Sequence, residues 1–230
     1  MANTQTHQLQ LNQPKQINDA NLSFYEKIDI NRFIEFAKII GLSNGADIKA
    51  INSEFCDAKV IAEIGAGYGR AIEAIINENF QGKIYAVERV AHLVSYMKHQ
   101  FASNEHVEII HDDAKKLKLP EKIDCFLWLW SGIMELSLDE QENALKELKN
   151  QLNPGGKVII ETPYEKVKYI GEKSPDNFVK FETDWGKLEA YLSTLEELQG
   201  ICEKAGFKSI RTKLYNTESD LTRIFYIYTI

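Results

Sequence analysis

The chain is short of cysteine and proline, has no excess of positive charge, and lacks any apolar run of membrane-spanning length. Each shortage removes a class of protein. Its 3 cysteines, Cys56, Cys125 and Cys202, are odd in number and scattered, with no C-x-x-C spacing. A disulfide framework or a cysteine metal site needs paired or clustered thiols, so buried, reduced thiols in a cytoplasmic protein are expected instead. The formal net charge of −7 argues against a nucleic-acid partner, because phosphate neutralisation by Lys and Arg supplies most non-specific affinity. The run Lys115-Lys116-Leu117-Lys118 is too short to reverse that balance. No stretch approaches the roughly 20 apolar residues of a transmembrane helix, so no membrane partner is expected. No metal site is expected either. His92, His99 and His106 recur every seven residues, two helical turns apart, with no Cys or carboxylate to complete a set.

With 5 prolines, no Pro/Gly/Ser-rich linker and no internal repeat, nothing divides the 230 residues, a length that buries one full core comfortably. Hydrophobic and charged fractions of 44% and 27% are those of a globular protein. Residues 1–21, rich in Gln and Asn, are expected to form a mobile arm. Residues 22–230 then form a single domain. From 22 to 55 the pattern is helical: Ile30, Phe33, Ile34, Ala37 and Ile40 recur at 3–4 spacing and Gly41 supplies a stop. This helical extension is expected to cover one edge of a cleft. Thereafter strand-like and helix-like runs alternate, which argues for an α/β fold with a parallel sheet covered on both faces. Capping boxes at Ser137-x-x-Glu140 and Thr194-x-x-Glu197 open two of the helices. Two β-rich runs separated by residues 216–220 end the chain as a hairpin.

The most informative stretch is Val60-Ile61-Ala62-Glu63-Ile64-Gly65-Ala66-Gly67-Tyr68-Gly69-Arg70. A buried strand runs into three alternating glycines and then into the helical pattern Ala71 to Ile76. Glycines at such a corner allow positive φ and close approach of a ligand to the backbone, and in open parallel sheets this corner is where nucleotide-like ligands bind. The dinucleotide fingerprint requires Gly-x-Gly-x-x-Gly, yet its third glycine is replaced here by Arg70. Lys83 to Glu88 is a second strand that ends in an acid about twenty residues past the loop, where a ribose-binding carboxylate belongs. Val107 to Ala114 is a third strand closing on Asp112 and Asp113, and Ile123 to Trp130 is a fourth, nearly all apolar.

Together with Asn153-Pro154-Gly155-Gly156 before a fifth strand, these segments resemble, in order, the motifs of the class I S-adenosylmethionine-dependent methyltransferases, from about Val60 to Gly206. The resemblance implies a Rossmann-like, doubly wound seven-stranded sheet whose last strand is antiparallel, and S-adenosylmethionine as cofactor. It implies that Glu63 supports the loop and the methionine amino group, that Gly65, Ala66 and Gly67 face the methionine portion, and that Glu88, followed by Arg89, takes the ribose hydroxyls. Asp112, Asp113 and the Ala114 amide fall at the adenine, and Trp130 and Ser131 nearest the transferable methyl. A carboxylate at a strand end facing an open cleft holds no core together, so removing Glu88 is expected to change stability little.

Acceptor-side residues are less specified. Glu135, Tyr164, His111 and Glu161 all fall at or just beyond strand ends, and Tyr25 is placed to close over the cofactor from the extension. Residues 164–191, rich in aromatics, are a candidate substrate-covering flap, or else a segment packed on the edge of the fold. No Asn/Asp-Pro-Pro-Tyr follows the fourth strand and no Pro-Cys is present, which excludes two nucleic-acid subclasses. The expected function is methyl transfer to a small molecule. The alternatives are a catalytically silent module binding S-adenosylmethionine or S-adenosylhomocysteine and, more distantly, a pyridine-nucleotide reductase. Oligomeric state is not legible.

Overall fold

In a computed structural model, residues 17–164, 172–173, 177–184 and 186–230 are described. Three helices come first: α1 (Ile17–Lys27), α2 (Ile30–Ile40) and α3 (Ala46–Ile51). The alternating part follows as β1 (Val60–Ile64), α4 (Arg70–Asn77), β2 (Lys83–Glu88), α5 (Ala91–Gln100), β3 (Val107–His111), β4 (Ile123–Trp128), α6 (Leu138–Asn150) and β5 (Leu152–Pro163). Three short strands, β6 (Glu172–Lys173), β7 (Phe178–Thr183) and β8 (Gly186–Tyr191), precede α7 (Leu195–Ala205) and the hairpin of β9 (Ser209–Asn216) and β10 (Thr222–Thr229).

The main sheet has seven strands in the order β3-β2-β1-β4-β5-β10-β9. All neighbours are parallel except β10, which is antiparallel to β5 and β9. The expected sheet, with its reversed last strand, is therefore the one observed. Strand β1 lies in its interior, flanked by β2 and β4. A central parallel strand is covered on both faces, which is why Val60 to Ile64 reads as an apolar run rather than an alternation. Successive side chains still go to opposite faces. Ala62 and Ile64 join the layer containing Leu145 and Leu148 of α6 and Leu198 and Ile201 of α7. Ile61 joins the opposite layer, with Ile48 and Ile51 of α3, Ile72 and Ile75 of α4, and Met97 of α5.

Local signals in the sequence set the helix ends. Asp29 caps α2 by accepting from the amide of Asn31 at 2.9 Å, and Gly41 ends it at φ 78°. Both capping boxes form, at α6 and at α7. The extension itself begins earlier than expected. Helix α1 starts at Ile17, inside the stretch assigned to a mobile arm, while residues 1–16 lie outside the described part. Asn21 is fully buried: its amide donates to the Glu189 carbonyl at 2.7 Å and its oxygen accepts from the Glu189 N–H at 2.9 Å. The side chain thus acts as a strand neighbour for β8, satisfying both backbone groups of one residue.

Strands β6, β7 and β8 form a separate antiparallel sheet within the segment singled out as a candidate flap. Its register pairs Val179 with Ala190 and Phe181 with Leu188. Phe178 and Tyr191 pack edge-on against each other at 5.2 Å. Tyr169 and Trp185, counted among its aromatics, lie outside the described residues. Of the cysteines, Cys125 and Cys202 are buried as expected, whereas Cys56, in a turn after α3, is exposed.

One buried ion pair joins the extension to the sheet. The Arg70 guanidinium, at the first position of α4, donates to both carboxylate oxygens of Asp47 in α3, at 2.8 and 2.6 Å, and to the Leu42 carbonyl at 2.9 Å. Asp47 is 0% exposed. Removing one partner of such a pair strands the other charge in the interior, at a cost of about 3–5 kcal/mol. Asp47→Ala is therefore expected to lower unfolding free energy by about that amount in urea denaturation. A loss below about 1 kcal/mol would show that the extension docks without the pair.

Candidate functional site

At the C-terminal edge of β1 the three glycines of the corner take φ of 70° (Gly65), 59° (Gly67) and 88° (Gly69), a region closed to most side chains. Their surroundings differ. A Cβ on Gly65 would meet no protein atom within 4 Å, so that position opens onto free space. On Gly67 it would lie 3.3 Å from the Phe33 ring of α2, and on Gly69 2.6 Å from the Phe101 ring behind the loop. Gly65 leaves room for a ligand, Gly67 admits the helix that roofs the loop, and Gly69 admits the packing beneath it.

The next strand end holds the loop in place. Glu88 is 6% exposed, and its carboxylate accepts from three backbone amides at 2.8 Å each: Gly67 on Oε2, Arg89 and Val90 on Oε1. Burial raises its pKa, while the three amides act in the opposite direction. An ionised carboxylate offers about four acceptor directions, so roughly one remains for a ligand. This geometry argues against the expectation that Glu88 is dispensable for stability, because its carboxylate accepts from amides of both the glycine loop and the turn after β2.

Beside it, Asp112 accepts from the Asp113 amide at 2.8 Å and Asp113 from the Lys115 amide at 2.9 Å. The Arg89 guanidinium stands 3.9 Å from Asp113 and 3.3 Å from Glu135. Tyr25 reaches in from α1 and donates its hydroxyl to Glu135 at 2.6 Å. Burial raises the pKa of both, and the Glu135 charge raises that of Tyr25 further. Glu135 is therefore already engaged on both oxygens.

At the end of β4, Trp130 and Ser131 both adopt left-handed φ, 48° and 65°. For non-glycine residues each such conformation costs on the order of 1–3 kcal/mol and persists only where the surroundings over-determine it. Here they do. The Ser131 amide donates to the Glu161 carbonyl at 3.0 Å, and its hydroxyl oxygen accepts from Arg223 at 2.7 Å. The Trp130 ring packs against Phe33 and Phe36. Arg223 in turn forms a fork onto both oxygens of the fully buried Glu161, which also accepts from the Tyr215 hydroxyl at 2.7 Å. A carboxylate so matched is no free base. Glu161 opposes Phe225 in the ladder, two residues from Arg223, so the pair is a diagonal cross-strand contact. Sequence reasoning missed Arg223; the available signal was a charged residue opening the otherwise apolar run of β10.

These elements enclose a cavity of about 360 Å³. Gly65, Gly67, Glu88, Arg89, Asp112, Asp113 and Ala114 line one half, and Trp130, Ser131 and Glu135 also reach its wall. Glu63 and Ala66 do not. The Ala66 amide ties the loop to the Val87 carbonyl at 2.9 Å. Glu63 is buried behind the wall, its Oε2 without a hydrogen-bond partner, and burial raises its pKa well above the ordinary carboxylate range against the opposing charge of Arg70. His111 is exposed, with Nε2 3.0 Å from the Arg89 carbonyl, and Tyr164 packs against the core; neither lines the cavity. The histidine trio is dispersed: His92 and His99 sit on α5, and His106 lies in the turn before β3. Among the described residues no group of three or more His, Cys, Asp or Glu is placed to hold a metal ion.

Comparison with known proteins finds likeness over part of the chain. Residues 61–156 match the family model described as a methyltransferase domain. A probable ribosomal RNA small subunit methyltransferase A of Methanococcoides burtonii is 38% identical over 69 residues, 30% of this chain and 25% of that protein. Demethylmenaquinone methyltransferase of Bacillus mycoides is 27% identical over 149 residues, 57% of this chain and 62% of that protein. The chain thus spans less than two thirds of the length of these curated relatives. Among solved structures, an amino pentose methyltransferase of Micromonospora echinaspora with S-adenosylmethionine bound superposes with a TM-score of 0.63 at 14% identity, covering 88% of this chain and 97% of that one. At that identity the likeness is one of fold.

Glu88→Ala removes the acceptor for three backbone amides. It is expected to destabilise the chain by at least about 1 kcal/mol, since each amide that water cannot reach costs roughly that or more. Chemical denaturation of the variant checks this, and a stability equal to that of wild type would mean the loop stands without the carboxylate.

Proposed function

We propose that the chain is a class I S-adenosylmethionine-dependent methyltransferase, which binds S-adenosylmethionine and transfers its methyl group to a small-molecule acceptor by in-line displacement; a methyltransferase-domain match over residues 61–156 and the fold of its structural neighbours support this reading. One observation carries the reading. The cavity brings the free face of Gly65, the Glu88 carboxylate and the Asp112–Asp113 pair into one wall at the carboxyl edge of the central strands. These residues fit the cofactor. Glu88 offers a ribose its remaining acceptor direction, Asp113 and the Ala114 amide face the adenine position, and Gly65 leaves the methionine portion its room. The partnerless Oε2 of Glu63 stands behind the loop, where a buried acceptor supports an ammonium group through intervening water. When bound, the cofactor supplies an electrophilic methyl on a sulfonium.

What the chain contributes is orientation and exclusion of water. Holding two reactants in line contributes several kcal/mol of the barrier reduction. Helices α1 and α2 and the turn between them roof the loop through Phe24, Ile28 and Phe33, and the small sheet, packed against both helices, extends this cover in the role of a flap. A general base is required only when the acceptor carries a proton at neutral pH. A cytoplasmic setting fits three unbridged cysteines, and a small acceptor fits an enclosed cavity better than a nucleic acid does.

A second reading is favoured by one specific feature. Glu135 and Glu161 are held by partners, and His111 and Tyr164 lie off the cavity wall. This is the arrangement of a base-free transfer, and equally that of a silent module binding the cofactor or its demethylated product. A pyridine-nucleotide reductase is disfavoured, because the place of its third loop glycine is filled by the buried Arg70.

Thermal unfolding with S-adenosylmethionine, S-adenosylhomocysteine and NAD separates these readings. The first two should raise the midpoint and NAD should not, and Gly67→Val should abolish the shift, since a side chain there meets both positive φ and Phe33. Release of S-adenosylhomocysteine with a pool of small metabolites supports the enzyme over the silent module. A shift with NAD alone would overturn the cofactor assignment.

A further inference from the structure

The cavity is divided by charge. All its acidic lining residues, and Arg89, stand at the ends of β2 and β3 or in the 3-10 turn Gly132–Glu135 that follows β4. On the other side, between α2, the β4 exit, the small sheet and the start of β10, Arg223 is the one charged group among the described lining residues; Glu135, held by Tyr25 of α1 and by Arg89, stands at the border. Its charge is matched by the fork onto Glu161. A charged ligand entering this half would lose its hydration without gaining a counter-charge, which is costly.

Aromatic surface is concentrated in the same half. The Phe36 ring stacks between Trp130, at 6.0 Å and 29°, and Phe181, at 5.9 Å and 25°. These rings come from α2, the β4 exit and β7, and all three residues are only half-buried. Leu188 and Ala190, paired in register with Phe181 and Val179, extend the wall and are also half-buried. Outside the cavity the large exposed hydrophobics among the described residues are Ile39, Leu195 and Leu214, widely separated in the chain. An incomplete apolar wall inside a cavity marks a ligand surface. Trp130 is moreover held there in a left-handed conformation that the fold would otherwise avoid.

We infer that this half is the acceptor subsite, and that it takes an uncharged small molecule with an aromatic ring body, seated against Phe36, Trp130 and Phe181. The inference rests on the methyltransferase reading for the word acceptor, and on the cavity alone for the class of ligand. Ser131 lies at the junction of the two halves. Its oxygen accepts from Arg223, which leaves its proton to point at an acceptor atom.

The test uses the full chain and binding alone, by calorimetry, with and without S-adenosylhomocysteine. The probes are 2-naphthol, its saturated counterpart decahydro-2-naphthol, and 2-naphthoate. Expected is binding of 2-naphthol at least about tenfold tighter than the carboxylate and about threefold tighter than the saturated alcohol. Phe181→Ala should weaken 2-naphthol at least fivefold while S-adenosylhomocysteine affinity stays within twofold; Phe181→Leu serves if the alanine variant fails to fold. Equal or tighter binding of the carboxylate or the saturated alcohol, or an unchanged affinity in a folded Phe181 variant, would overturn the proposal. Absence of S-adenosylhomocysteine binding alongside the expected probe ranking would instead count against the methyltransferase reading and leave the ligand class standing.

Discussion

The buried pairing of Arg70 with Asp47 is the constraint on which the site depends. It joins the first turn of α4, at the end of the glycine loop, to helix α3 of the N-terminal extension. The same guanidinium holds the Leu42 carbonyl and lies 5.7 Å from the centre of the Trp130 ring. One side chain therefore touches the loop, the roof and the end of β4. Buried pairs of this kind add little net stability over an apolar replacement, because desolvation offsets much of the attraction. What this one does is fix where the extension sits relative to the sheet, so that Phe33 comes down over Gly67. The residue that breaks the dinucleotide fingerprint is thus the one that assembles this cavity.

Glu88 does a related task at the neighbouring strand end. Three amides converge on its carboxylate, so the loop is held open by the group placed to meet a ligand. Under the proposed function this sets a limit: a ribose would share the carboxylate with Gly67, Arg89 and Val90, or displace one of them. Pre-organisation of this sort lowers the ordering cost of binding.

Local physics made most of the fold legible. The apolar run of β1, the positive-φ glycines, both capping boxes and the terminal hairpin are short-range signals, and the structure contains each of them. Long-range pairings were not legible. Asn21 reads as part of a polar arm until β8, 168 residues away, supplies its partner. Glu161 reads as a free acid at a strand end until Arg223 reaches it across the ladder. Trp130 and Ser131 give no sequence sign of left-handed φ, because neither residue type favours it. The small sheet was visible only as aromatic density, since its strands are short and pair outside the main sheet. In the site, the residues of the polar half stand in motifs that the sequence displays, whereas the other half is built from residues of separate elements and carries no motif.

The relatives named above act, by their names, on ribosomal RNA and on demethylmenaquinone, and the structural neighbour is an amino pentose methyltransferase. The proposed function puts S-adenosylmethionine in the polar half of this cavity. A crystal structure of the chain with S-adenosylhomocysteine tests it most directly. The account expects a ribose hydroxyl at about 2.5–2.8 Å from a Glu88 carboxylate oxygen, with the adenine beside Asp113 and the homocysteine portion over Gly65. A ligand seated elsewhere, or a cavity left empty at saturating ligand, would contradict it.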